Sequence, residues 1–168
     1  MMSSRRDSEC GAALVEFALV LPLIMALILG MVTGGSAYNR KLSMTNAVRE
    51  GSRFGATLDG STTWATSIQS RTVELATGDL SASQVCVQLI KNGSVVSYGG
   101  YTYEALGSGC SSTAAPTVTA SSTDCVVKVW AARVNQDKLQ VIFFTSNLTL
   151  TSKSVARYEG TVTSTCNG

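Results

Sequence analysis

The sequence predicts an α+β protein: a long N-terminal transmembrane helix that continues as an extended amphipathic stalk into a small head. The head is expected to hold one further helix and an antiparallel β-sheet of about four or five strands. Three observations carry this. The run from Ala12 to Val32 is apolar except for Glu16 and Pro22, apolar residues recur at helical spacing from Met44 to Leu58, and the chain beyond residue 84 alternates apolar and polar residues between turn signals. The organisation expected is therefore a leader at 1–11, a membrane helix and stalk at 12–58, and a head at 59–168.

The first element is set by length. About 20 apolar residues in a helix cross the hydrocarbon core of a bilayer, and the run satisfies that requirement. Pro22 leaves a backbone carbonyl without its helical donor and is expected to bend the helix, which a membrane tolerates where neighbours compensate. A buried core helix is the bland rival. A cleaved signal peptide is another, with small residues at Gly35-Ser36-Ala37 and a mature start near Tyr38, but the apolar region is longer than the usual 7–15 residues of such signals. Glu16 is the anomaly. An intramembrane carboxylate costs roughly 2.5–3.5 kcal/mol near a helix centre, so it needs a partner, or a place at the interface where it reaches headgroups or water.

The stalk follows from the spacing of Met44, Ala47, Val48, Gly51, Phe54, Gly55 and Leu58, with Arg49 and Arg53 at other angles. Gly30/Gly34 and Gly51/Gly55 have the small-xxx-small spacing that lets helices approach closely. Asp59-Gly60 ends the stalk. A second helix is predicted from about Thr62 to Ala76, capped near Ser61 or Thr62 and stopped by Gly78, with Trp64, Ile68 and Leu75 on its inner face. "QVCVQLIKNGSVVSY" reads as a hairpin turning at Asn92-Gly93. "CVVKVWAARV" and "LQVIFFTSNLTLTSKSVARYE" supply two or three more strands. Between them lies a Gly/Ser/Thr-rich loop at 99–124, on which Tyr98, Tyr101 and Tyr103 offer a contact surface.

Cys10 precedes the apolar run, and Cys86, Cys110, Cys125 and Cys166 follow it. An even set beyond the membrane fits two disulfides in an oxidising compartment, with three connectivities open. The pairing expected is Cys110–Cys125 with Cys86–Cys166. Lys and Arg counts leave orientation ambiguous, since Arg5 and Arg6 face Arg40, Lys41, Arg49 and Arg53 across the run. The cysteines decide it, placing the head outside the cytosol.

Composition narrows the function classes. Charged residues make up 14% of the chain, against roughly 25% in an average soluble protein. The net charge is +2 and the basic residues are scattered, so no nucleic-acid surface is expected. The chain has no histidine, which removes the commonest general base and zinc ligand. No paired carboxylates, metal cluster or phosphate-binding glycine motif stands out, so the expectation is no enzyme and no cofactor.

Gly11, then Ala12-Ala13-Leu14-Val15, then Glu16-Phe17 resembles the prepilin-peptidase motif of Tad/Flp-type prepilins. The longer stretch resembles the TadE-like pseudopilins (minor pilins) of tight-adherence type IV pilus systems. It shares the Gly-Ala-Ala start, Val-Glu-Phe, a mid-membrane proline, and an N-A-x-R-E-G-x-R segment at Asn46-Ala47-Val48-Arg49-Glu50-Gly51-Ser52-Arg53. The resemblance implies a cytoplasmic leader cut between Gly11 and Ala12 by a prepilin peptidase, which discards Cys10. The new amino terminus at Ala12 then lies one helical turn from Glu16, on its own chain or a neighbour's. It also implies a single-pass protein of the bacterial inner membrane, with other pilin or pseudopilin subunits, inner-membrane pilus platform proteins and lipid as partners, acting in pilus assembly and surface adhesion. The rival from another class is a secreted or tethered binding module using the loop at 99–124.

Overall fold

The computed structural model describes residues 4–110, 114–117, 124–141, 144–161 and 166. Helix α1 (Ser4–Thr57) passes without a break through Gly11–Ala12 and Pro22. Two polar residues just past the apolar run bond within the helix: Thr33 Oγ1 donates to the Leu29 carbonyl at 2.8 Å and Ser36 Oγ to the Thr33 carbonyl at 2.9 Å. Helix α2 (Trp64–Leu75) follows a short turn. It starts two residues later than predicted, and Thr63 caps it without a side-chain hydrogen bond. Of its inner face, Trp64, Ile68 and Thr72 are fully buried while Leu75 is only partly so.

Seven strands follow among the described residues: β1 (Val85–Lys91), β2 (Ser94–Val95), β3 (Ser97–Tyr98), β4 (Tyr101–Thr102), β5 (Glu104–Leu106), β6 (Val126–Val141) and β7 (Phe144–Arg157). The main sheet is antiparallel, in the order β2-β1-β6-β7, with β5 on the same edge of β1 as β2. The turn between β1 and β2 holds Asn92 and Gly93 at φ 51° and 79°. A two-residue turn whose hand matches strand twist requires positive φ at both positions, which Asn-Gly adopts at low cost.

The stalk does not stand free. Its apolar face (Met44, Ala47, Val48, Ala56) is one wall of the head's core, closed by α2 and by Val85, Val87, Leu89, Val127 and Val129 of the sheet. This explains the second glycine pair. A Cβ at Gly51 would lie 2.1 Å from Thr72 Oγ1, and one at Gly55 would lie 2.5 Å from Ile68 Cδ1. Gly51 and Gly55 therefore let α2 approach α1 within one chain, whereas a Cβ at Gly30 or Gly34 meets nothing within 4 Å.

Three sequence expectations are corrected. The loop at 99–124 is shorter, because Tyr101–Thr102 and Glu104–Leu106 are strands, and residues 111–113 and 118–123 lie outside the described residues. Tyr103 belongs to the core, edge-on to Trp64 at 5.9 Å, so of the three tyrosines only Tyr98 is largely exposed. The disulfides are Cys86–Cys110 and Cys125–Cys166, with Cα separations of 6.0 and 5.7 Å. The loop after β5 folds back over the start of β1, where Gly109 N–H donates to the Ser83 carbonyl at 2.7 Å, and this carries Cys110 to Cys86. Cys125 opens β6 beside the end of β7, where Tyr158 N–H donates to its carbonyl, and so meets Cys166 beyond that strand. The C-terminal strand segment also divides differently: residues 139–141 complete β6, and β7 begins at Phe144.

Candidate functional site

Between Gly11 and Val32, α1 carries its side chains outward on all faces. Its most apolar stretch is 0% buried, with Leu14, Val15, Phe17, Leu19 and Leu23 all exposed. A helix apolar all round and left unburied by the other described residues needs lipid or other helices to cover it. Glu16 and Phe17 project from this segment, Phe17 at 60% exposure. Among the described residues Glu16 makes no ion pair. Its helical neighbour one turn back is Ala12, whose nitrogen in the intact chain is a neutral amide within α1. A compensating ammonium exists there only if the backbone is cut after Gly11.

The N-A-x-R-E-G-x-R segment serves two sides of α1. Ala47, Val48, Gly51 and Ser52 point into the head, where Ser52 Oγ donates to the Arg49 carbonyl at 2.8 Å and lies 2.8 Å from Ser154 Oγ. Arg49, Glu50 and Arg53 point out and, with Ser154, Val155 and Ala156 of β7, line an open groove. No metal-ligating cluster occurs among the described residues.

A second constellation sits where α1 leaves the head, and the sequence did not announce it. Asp137 of β6 is buried at 3% exposure between two guanidinium groups. Arg40 of α1 donates to Asp137 Oδ1. Arg133 Nε donates to Oδ2 at 3.1 Å, and Arg133 also donates to the Asp79 carbonyl. Arg40 Nε lies 3.8 Å from Asp79 Oδ1. A register shift between Arg133 and Asp137, with Asn135 at φ 57°, turns Asp137 toward α1. Burial pushes the Asp137 carboxyl up, but the hydrogen bonds and charges of Arg40 and Arg133 outweigh it and hold it below the usual carboxylate value.

The clamp's contribution is therefore fully present above the unfolded carboxylate pKa of about 3.9 and is lost as pH falls through the lowered folded value. Asp137→Asn is expected to cost about 2 kcal/mol at pH 7. The variant should also lose less stability than the parent as pH falls from 7 to below the unfolded carboxylate value of about 3.9. Thermal melts of the full chain in detergent across that range decide it, and parallel curves for parent and variant would overturn the assignment.

Residues 11–53 match the model of a family described as TadE-like protein. The match begins on Gly11 and ends on Arg53, bearing out the resemblance read from the membrane run and the stalk motif. It covers about a quarter of the chain and leaves α2 and the whole sheet outside. No curated protein and no solved structure matches the chain.

Proposed function

We propose that this chain is a minor pilin, or pseudopilin, of a Tad/Flp-type pilus. It is inserted in the bacterial inner membrane by the span within α1, with its head outside the cytosol. A prepilin peptidase cuts between Gly11 and Ala12, and the freed ammonium pairs with Glu16 on the same or an adjacent chain, setting the axial register between neighbouring helices. Phe17 packs beside that pair. The role is assembly or initiation of the pilus together with other pseudopilins and the inner-membrane platform. Catalysis belongs to the peptidase, and this chain is its substrate.

The observation that carries this reading is the unburied apolar helix of 11–32 within the family-matched segment, with one carboxylate a single turn from the expected cut. A span needing only to anchor a head has no use for a carboxylate at that position, whereas a helix that packs among copies of itself gains an ion pair in a low-dielectric setting. The binding-module alternative is weakened, because Tyr103 and the strands at 101–106 are committed to the head.

The test is the intact mass of the mature protein from native membranes. A start at Ala12, abolished by Gly11→Val with the longer chain still in the membrane, is the expected result. A start near Tyr38, or at Met1 or Met2, would overturn the proposal.

A further inference from the structure

Just past the apolar run, α1 carries two side chains that the head does not use. Tyr38 is 70% exposed and Lys41 is partly buried. Three residues apart, they are neighbours on one face of the helix. Arg40, between them in sequence, is committed to Asp137 and Asp79. The Lys41 ammonium makes no ion pair among the described residues, and Thr45 Oγ1 bonds to the Lys41 carbonyl rather than to its charge. Partial burial lowers the pKa of that ammonium, with no neighbouring carboxylate to offset it. Lys41 is thus a desolvated cation that lacks a counter-ion within its own chain.

The height of this pair follows from the helix. From Ala12 to Val32 the axis rises about 30 Å, which matches the hydrocarbon thickness of a bilayer. Val32 therefore marks the edge of the hydrocarbon on the side of the head. From there the axis climbs about 9 Å to Tyr38 and about 14 Å to Lys41. Side chains of a helix lean toward its N-terminus, which here is toward the membrane. Both long side chains accordingly reach back to the headgroup layer, about 5–8 Å deep in each leaflet. A lysine stem lies along apolar surface while its ammonium seeks the polar layer, and a tyrosine ring settles at the same level. Arg49 and Arg53 stand at least about 25 Å above Val32, out of reach of any headgroup.

We propose that Tyr38 and Lys41 form a binding site for the phosphate of an anionic phospholipid in the leaflet on the side of the head, with the Lys41 ammonium and the Tyr38 hydroxyl both donating to its oxygens. Lipid is the occupant because the pair adjoins the membrane span, stands at headgroup height and offers the charge that a lipid phosphate complements. The consequence is axial. A headgroup held at residues 38 and 41 fixes how deep α1 sits, and so holds Gly11 and Ala12 at the opposite edge of the hydrocarbon.

The proposal rests on α1 spanning the membrane but not on the cut after Gly11, so the full chain carrying Gly11→Val serves as the parent. Flotation with phosphatidylcholine/phosphatidylglycerol vesicles reads the membrane step separately. Native mass spectrometry of the chain released from nanodiscs holding equal amounts of the two lipids then reads the site. The parent is expected to retain phosphatidylglycerol over phosphatidylcholine, and Lys41→Gln to lower that preference about fivefold, the effect of one cation at a membrane surface. Tyr38→Phe should cause a smaller loss. Lys153→Gln removes an exposed cation of β7 that lies next to Ser152, level with Thr45 and farther from the membrane, and should leave the preference unchanged. Equal retention of both lipids by the parent, or equal losses in Lys41→Gln and Lys153→Gln, would overturn the site. A preference abolished by millimolar inorganic phosphate would mean that free phosphate occupies it, which refutes the lipid assignment. A chain that does not float removes both the span and the site.

Discussion

Replacing Trp64 with alanine is expected to lower the stability of the head by about 3–5 kcal/mol, the range for deleting a fully buried tryptophan. Trp64 has 0% exposure and stands at the junction of α1, α2 and the sheet. Its ring meets Tyr103 and Tyr158 edge-on, with centroids 5.9 and 6.2 Å away. Its indole Nε1 donates to the Gly55 carbonyl at 3.2 Å. That carbonyl belongs to the last turn of α1, where helix carbonyls lack intrahelical partners. Trp64→Ala therefore removes the largest side chain of the core and one cap of the long helix together. Trp64→Phe keeps an aromatic ring and loses only the cap and part of the volume, so a cost of about 1–2 kcal/mol is expected. Denaturant titration of the full chain in detergent, followed by near-ultraviolet circular dichroism, separates the two. Equal costs for both variants would mean that the cap, not the packing, dominates.

The same helix end has further tertiary caps. Glu159 N–H donates to the Ala56 carbonyl, and Tyr158 Oη donates to the Leu58 carbonyl at 3.0 Å. Burial, then the charge of Asp59, pushes the Tyr158 hydroxyl up to about 12, so it remains a donor throughout the physiological range. Two carbonyls in the last turn of α1 and the Leu58 carbonyl just past it are thus met by α2 and the chain after β7, and that turn holds no basic residue that would do this locally. The helix ends where the head closes over it.

What the sequence made legible was local. The membrane run declares itself by length, the inner face of the stalk by its i, i+3, i+4 spacing, and the first hairpin by Asn92-Gly93, because each signal lies within one element. The contacts that join elements were not legible. Arg40 and Asp137 are 97 residues apart, and Tyr158 and Leu58 are 100 apart. No periodicity links such pairs, and a dispersed arginine and aspartate read as solvated surface until a sheet register brings them together. Composition misled at residues 99–106, where Gly99-Gly100 suggested open loop. The alternation in Tyr101-Thr-Tyr-Glu-Ala-Leu106 was the strand signal that composition obscured. Gly11, Ala12, Glu16 and Phe17 are singled out in the sequence because a motif at fixed spacing carries them. The Asp137 clamp emerged only from three-dimensional placement.

The disulfides provide the second large effect and bear on which side of the membrane the head occupies. Cys125–Cys166 closes a separation of 41 residues and Cys86–Cys110 one of 24. In the chain-entropy account these loops stabilise the fold by roughly 4 and 3.5 kcal/mol. The longer bridge also holds Cys166, buried at 3% exposure, in the main core cluster. A Cys125→Ala/Cys166→Ala double variant is therefore expected to melt about 10 °C or more below the parent. Dithiothreitol should lower the parent further than it lowers the variant, since the parent has both bridges to lose. A variant that melts with the parent would show that packing alone holds the C-terminus in place. Such bridges persist only in an oxidising compartment. Alkylation of native membranes before lysis, read by mass, should accordingly find all four head cysteines blocked as disulfides. Four alkylated thiols would instead place the head in the cytosol and reverse the orientation of α1, and a cut after Gly11 by a cytoplasmic-face peptidase would then lose its geometry.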